Sequence, residues 1–202
     1  MASAIVVVSH PDPNSFNHAL AAVVSDIWAQ SGYSTDLIDL HQIGFDPVMS
    51  VAEARGRAST EDSVVKQIEL LAKCDLVGIV HPNCWGSPPA MMKGWMDRIF
   101  APGAAYDFAK GADDGDAPVP LLKGKRALVL NTSNTSLERE RAVFGDPLER
   151  IWRDCLLGYT GFDVIHREVF RIVATSTYDE RQEWLSKASD LARSLALRPD
   201  SM

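Results

Sequence analysis

Three short segments of this chain concentrate residues able to bind a ligand or react. They are His10-Pro11-Asp12-Pro13-Asn14-Ser15-Phe16-Asn17, His81-Pro82-Asn83-Cys84-Trp85-Gly86-Ser87-Pro88-Pro89 and Asn131-Thr132-Ser133-Asn134-Thr135-Ser136. In the first, Asn14, Ser15 and Asn17 surround the start of a helical pattern. Free N–H groups and the positive end of a helix dipole bind phosphate there without Lys or Arg. The charge distribution leaves no other route to an anion. The first basic side chain is Arg55, and Asp12, Asp26, Asp36, Asp39, Asp46 and Glu53 precede it. The competing reading is that Asn14 or Ser15 only caps its helix. The tandem glycines of a dinucleotide fingerprint and the Gly-Lys-Ser/Thr of a nucleotide triphosphatase loop are both missing.

The second segment is stiffened by proline and holds a large aromatic between a polar pair and a glycine. Its backbone groups suit the rim of a planar heterocycle, with Trp85 as a stacking edge, unless Trp85 is a buried anchor for the loop. Cys84 with His81 three residues away is a weak nucleophile pattern, because reactivity needs a lowered thiol pKa that spacing does not show. Two ligand types do not make a metal site. The third segment offers hydroxyls and amides and no charge until Glu138-Arg139-Glu140-Arg141, which reads as a solvated face. His18, His41 and His166 read as surface or capping histidines without an evident partner.

The elements that must position these loops follow from periodicity. Ala4 to Ser9, Ser34 to Leu40, Asp75 to Val80, Arg126 to Leu130 and Asp163 to Phe170 are short apolar or β-branched runs. Between them fall helical patterns from Ser15 to Gly32, Ser63 to Lys73 and Pro89 to Phe100. Two more run from Asp146-Pro147 to about Tyr159 and from Tyr178 to Leu197. Continuous rather than alternating strands predict a parallel sheet buried on both faces. The expected class is α/β, a doubly wound five-stranded parallel sheet with helices on both faces, in one domain spanning 1–202. Ala101 to Lys125, rich in Gly, Pro and Asp, is a long irregular excursion of the kind that is usually functional or mobile. In such folds ligands bind outside the carboxyl ends of the strands, where all three segments sit.

Composition narrows the function. With 20 basic and 27 acidic residues the net charge is −7, which argues against nucleic acid or an anionic membrane as main partner. No apolar run approaches the ~20 residues of a membrane span, so no membrane insertion is expected. The start of the chain has no basic region of the kind a secretory signal carries. Cys74, Cys84 and Cys155 form neither a disulfide framework nor a zinc pattern, which favours the cytoplasm.

Several runs carry a family resemblance: Ser9 to Asn17, then His81-Pro82-x-x-Trp85, then Pro89-Ala90-Met91-Met92-Lys93-Gly94-Trp95 through Phe100. Gly103-Ala104-Ala105-Tyr106 and Leu121 to Ala127 belong to it too. Together they resemble the flavodoxin-like NAD(P)H:quinone oxidoreductases, a group that includes quinone reductases, modulators of drug activity and ancillary flavoproteins of potassium-efflux systems. The resemblance implies a bound flavin, FMN or FAD. Its phosphate region would be held by His10, Ser15, Phe16 and Asn17. Pro82, Asn83, Cys84 and Trp85 would line the ring, and Asn131, Thr132, Ser133 and Asn134 would close its other edge. It also implies a homodimer, with Tyr106 at the mouth of the site.

The departures are specific. The family's Thr-Thr-Gly-Gly reads Asn131-Thr132-Ser133-Asn134 here, which gives up two close approaches of bare backbone to a ring. A Tyr and a His associated with hydride transfer in the mammalian type fall on Glu138 or Arg139 and on Phe144. The leading expectation is therefore a flavin oxidoreductase passing a hydride from NAD(P)H to a quinone or another small aromatic acceptor, with no side-chain nucleophile. The alternatives are an ancillary protein that binds a transporter, motivated by Asp113-Asp114-Gly115-Asp116, and a one-electron carrier.

Overall fold

The computed structural model describes residues 2–109 and 117–197. Five strands form one sheet: β1 (Ser3–Val8), β2 (Ser34–Asp39), β3 (Leu76–Pro82), β6 (Arg126–Ser133) and β7 (Val164–Arg171). A two-residue antiparallel pair, β4 (Tyr106–Asp107) and β5 (Val119–Pro120), lies in the excursion. The five-stranded sheet has the order β2-β1-β3-β6-β7 and every neighbouring pair is parallel. This is the doubly wound arrangement expected from the apolar runs. The chain reverses its direction of winding between β1 and β3, so a crevice opens at their carboxyl ends.

Alternation along the strands divides the core in two. Ile5 and Val7 of β1, Val77 and Ile79 of β3, and Ala127 and Val129 of β6 face one layer. That layer is α3 (Asp62–Lys73), α4 (Ala90–Ile99) and the helical run that begins at α6 (Pro147–Glu149). Ala4, Val6, Val8, Leu128 and Leu130 face the other, made of α1 (Phe16–Gln30) and α7 (Tyr178–Ala196). Trp28 is fully buried between them, and its Nε1 donates to Ala192 O at 3.0 Å. Gly78 makes room for it, since a β-carbon there would stand 3.2 Å from the Trp28 ring.

The long connection from β2 is pinned by one side chain. Arg98 of α4 is 4% exposed and donates to Glu53, Glu61 and the Asp46 carbonyl. Those bonds clamp the short α2 (Val51–Ala54) and its flanking loops onto α4. Glu53 pays for partial burial but is hydrogen-bonded by Ser50 and Arg98, which hold its carboxyl down to about 2.

Among the differences from the sequence expectation, β3 carries on through His81 and Pro82, and three more have a clear physical setting. β6 runs on to Ser133, so Asn131, Thr132 and Ser133 are strand rather than loop. The ladder continues because β3 and β7 flank that stretch on both sides, pairing Thr132 with Pro82 and Ser133 with Arg171. α5 (Leu137–Val143) forms where a solvated charged run was expected, started by Ser136, whose Oγ accepts from Arg139 N. The helix from Pro147 continues through Arg150–Gly158 in the wider π pitch. The acidic stretch Asp113 to Asp116 lies outside the described residues. No described helix is long and apolar enough to cross a membrane.

Candidate functional site

The carboxyl ends of β1, β3 and β6 open into a cavity of ≈ 760 Å³. Ten of the twelve residues expected to hold a cofactor line it: His10, Ser15, Phe16 and Asn17 from the first segment, Pro82, Asn83 and Trp85 from the second, and Thr132, Ser133 and Asn134 from the third. Asn131 and Cys84 are the two that do not. Tyr106 does not either. It lines a separate cavity of ≈ 470 Å³ with Met96, Cys155 and Tyr159, its ring 5.2 Å from that of Tyr159.

The first wall is the start of α1. Ser15 is its N-cap, accepting from His18 N, and no acidic residue occupies the first turn. His18, expected to lack a partner, has two. Its Nδ1 lies 2.8 Å from Ser15 Oγ and its Nε2 lies 2.9 Å from Asp39 Oδ2. Burial works against ionisation of Asp39, but hydrogen bonds from His18 and from the amides of Gln42 and His41 outweigh it and hold the carboxyl below its ordinary value. Asp39 accepts from His18 Nε2, which turns Nδ1 toward the serine hydroxyl and fixes the ring against the start of α1. Asn17 is buried and its Oδ1 accepts from Thr132 Oγ1 at 3.2 Å, which joins this wall to β6.

The second wall is a tight turn. Cys84 and Ser87 exchange backbone hydrogen bonds across it, and Gly86 N donates to Asn83 Oδ1 at 2.7 Å. Both central residues are left-handed, Trp85 with φ 59° and Gly86 with φ 75°. That is the geometry of a two-residue hairpin turn, which prefers Asn, Asp or Gly in both places. Gly86 is required twice over, because a β-carbon there would meet Pro147 Cγ at 2.7 Å. Trp85 is the anomaly. Its side chain is fully exposed, so the anchoring reading is overturned, and its backbone is strained for a bulky residue.

The third wall answers the loss of the two glycines. Ser133 Oγ accepts from Thr135 N, and Asn134 Oδ1 accepts from Ala174 N at 2.8 Å. Both side chains are taken up by nearby backbone.

A buried polar network supports the floor. His81 is fully buried with its ring 5.4 Å from that of Trp152. Trp152 Nε1 and Asn131 Nδ2 both point at His81 Nε2, at 2.9 and 3.0 Å. Trp152 is a donor only, so Nε2 carries no proton and Nδ1–H donates to Pro82 O at 2.8 Å. Arg167 Nε donates to Asn131 Oδ1 at 2.7 Å and its guanidinium pairs with Asp146. Asn131, expected at the ring edge, is a tie between β3 and β7 instead. Burial depresses the His81 pKa to about 4; the hydrogen bond to the Pro82 carbonyl opposes it, and the nearby Arg167 adds a lesser lowering. A buried neutral imidazole cannot serve Cys84 as a base, and partial burial raises the Cys84 thiol. The nucleophile reading has no geometry behind it.

Gly86 and Thr135 of the second and third segments line the cavity as well, and so does Arg139, one of several arginines that the sequence offered for the donor's ribose; sequence reasoning assigned no site role to Phe144, Pro147, Val173 and Arg181, which also line it. Phe144 entered only as the residue at a lost histidine position. Val173 and Arg181 had a usable signal: the connection after β7 leaves the same edge of the sheet as the other three loops. Glu140, read as part of a solvated face, is fully buried and paired with Arg171.

Residues 2–194 match the model of a family described as having a flavodoxin-like fold. A mouse protein named ribosyldihydronicotinamide dehydrogenase (quinone) is 26% identical over 95% of this chain and 90% of its own. The crystal structure of Smu.1420 from Streptococcus mutans is 26% identical and superimposes with a TM-score of 0.83, covering 96% of this chain and all of the other. An FMN-dependent NADH-azoreductase from Bacillus anthracis, solved in complex with FMN, has a TM-score of 0.74 at 16% identity, covering 98% of this chain and all of its own. At that identity the last likeness speaks to the fold alone.

Proposed function

This chain belongs to the family with the flavodoxin-like fold, and on that premise we propose that its ≈ 760 Å³ cavity holds a flavin through which NAD(P)H reduces a quinone or a related small aromatic. The observation that carries this reading is Trp85. Folding gains nothing from a tryptophan that buries none of its side chain and occupies a left-handed position. Strain of this kind persists where a ligand rather than the core uses the side chain.

The residues present fit such a cofactor. The start of α1 offers main-chain donors, Ser15 and Asn17 to a phosphate. The turn at Asn83–Gly86 offers N–H groups and a large aromatic plane to a flat heterocycle. Ser133 and Asn134 are turned onto neighbouring backbone, so the missing glycines do not fill the ring space with side chain. When bound, a flavin supplies hydride acceptance from a nicotinamide and hydride delivery to an acceptor. The protein's part is to bind, orient and keep water out. Overall, NAD(P)H, one proton and a quinone become NAD(P)+ and a hydroquinone. Donor and acceptor take the same face in turn, so the kinetics are ping-pong.

The finer assignments are part of the same proposal. FMN is the simpler fit to a cavity walled by Ser15, Trp85 and Phe144, with FAD the alternative if an adenosine extends beyond α1. Two copies of the chain form the working unit, and Tyr106 serves the mouth of the site from the second cavity. The exposed apolar residues Val48, Val51 and Phe108 support that contact. Three free cysteines suit a reducing, cytoplasmic setting. Heat-releasing the yellow chromophore and separating it by chromatography tests the cofactor: FMN or FAD is expected in near-stoichiometric amount. A colourless protein that takes up neither on incubation contradicts the proposal.

A further inference from the structure

The chain carries 27 acidic against 20 basic residues, yet none of the described side chains lining this cavity of ≈ 760 Å³ is a carboxylate. Two are guanidiniums, Arg139 and Arg181. In an acidic protein this concentrates positive potential in a concave site where a small molecule would be held.

The two arginines are differently employed. Arg181 is committed to its surroundings, with Nε on Ser176 Oγ at 2.8 Å and Nη2 on Val173 O at 3.2 Å. Arg139 has no side-chain hydrogen bond or ion pair among the described residues, although its backbone N–H is held by Ser136. The buried arginine side chains are all employed: Arg98, Arg167 and Arg171 each have an acidic partner, and Arg126 donates to the Leu195 carbonyl and to Tyr33 Oη. Of the two carboxylates flanking Arg139 on α5, Glu140 is buried and taken by Arg171, and Glu138 makes no ion pair with it among the described residues. The guanidinium of Arg139 is therefore placed on the cavity and left unneutralised.

Its neighbours say what it would meet. Phe144 lies just past the end of α5, half-exposed, and also lines the cavity. Gly86 touches Pro147, three residues further on, so the Trp85 turn is packed against this same segment. The lining of the cavity thus combines two exposed aromatic side chains, Trp85 and Phe144, with the unpaired guanidinium of Arg139. We propose that the acceptor this site selects is an aromatic bearing a carboxylate, sulfonate or ionised hydroxyl on its ring, and that Arg139 is the residue that selects it. This rests on the reading of the cavity as the place where a planar acceptor is reduced. A cation and aromatic side chains lining one cavity favour an anion attached directly to a ring over the phosphates of a dinucleotide, which stand a ribose away from the nicotinamide.

The test is equilibrium dialysis of the purified protein against naphthalenesulfonate and against naphthalenesulfonamide, its neutral analogue. The wild type should bind the sulfonate more tightly, and Arg139→Gln should reduce the sulfonate-to-sulfonamide preference by about five-fold, the scale of an exposed ion pair. Arg139→Lys should recover part of it, and added salt should erode it in the wild type but not in Arg139→Gln. Turnover with a naphthoquinone sulfonate against the parent naphthoquinone should show the same change in ratio, which cancels any shared loss of cofactor or of folding. An equal preference in wild type and Arg139→Gln overturns the proposal. So does an effect confined to NADPH over NADH, which would assign Arg139 to the donor's phosphate. A protein without flavin that still prefers the sulfonate through Arg139 would instead remove only the redox reading.

Discussion

Trp152 Nε1 donates to His81 Nε2 at 2.9 Å, across the layer boundary between the sheet and the helix that follows α6. That bond needs an unprotonated Nε2, and Asn131 adds a second donor to the same nitrogen. The floor of the cavity therefore depends on a neutral histidine, and its stability has a defined pH window. In the unfolded chain this imidazole takes a proton near pH ~6.5, while in the folded chain burial delays protonation to about 4. Between those values the unfolded state binds more protons, so stability falls as pH drops from ~6.5 to about 4 and this contribution does not change further below that. The loss amounts to ~3 kcal/mol at most. Urea unfolding at a series of pH values should show this decline in the wild type and a flatter curve in His81→Gln.

Gly86→Ala tests the turn against Pro147. The substitution asks for a left-handed alanine and a β-carbon 2.7 Å from Pro147 Cγ. It should cost ~1–3 kcal/mol in denaturant unfolding. Flavin affinity should fall with it, because Trp85 and Asn83 move with the turn. An unchanged midpoint would mean that the turn and the α6 segment are not in contact.

Trp85→Gly separates folding from ligand binding. Glycine relieves the left-handed strain at φ 59° and gives up no buried surface. Stability should therefore hold or rise slightly, within about 1 kcal/mol, while the affinity for flavin or for an aromatic acceptor drops. A fall in stability comparable to a core truncation would return Trp85 to the role of a structural anchor.

Glu140→Gln leaves Arg171 as a buried cation without its counter-charge. The pair has side chains 1% and 14% exposed, so the expected cost is ~3–5 kcal/mol. Glu140 also accepts from Asn83, which lines the cavity, so cofactor retention should weaken alongside stability. The double substitution Glu140→Gln with Arg171→Met should recover much of the folding loss, since it removes both charges together.

How far the sequence carried this account varies with the kind of residue. The apolar runs at Ile5–Val8 and Ala127–Leu130 announced buried parallel strands because burial on both faces removes alternation. Their carboxyl ends then located the cavity, and Ser15, Asn17, Asn83 and Trp85 were readable there as polar or aromatic residues in turns. The extension of β6 to Ser133 was not legible, because polar Asn131 and Thr132 look like loop until neighbouring strands supply their hydrogen bonds. Asn131 was read as ligand-facing for the same reason, and His81 only as a weak partner for Cys84, whereas the partners they have, Arg167 for Asn131 and Trp152 for His81, lie 36 and 71 residues away in sequence. Glu140 looked solvated because Arg171, on a different strand, is invisible from α5. Polar contacts between distant segments carry no periodicity, and each of these misreadings is of that kind.

The central claim is that nicotinamide reduces a flavin held against Trp85. The most direct measurement is the visible absorbance of the purified protein before and after anaerobic addition of NADPH, repeated with NADH. The account predicts two flavin bands that bleach on addition of at least one donor and return when a quinone is added. Bands that persist with both donors would contradict it and leave a flavin-binding electron carrier in its place.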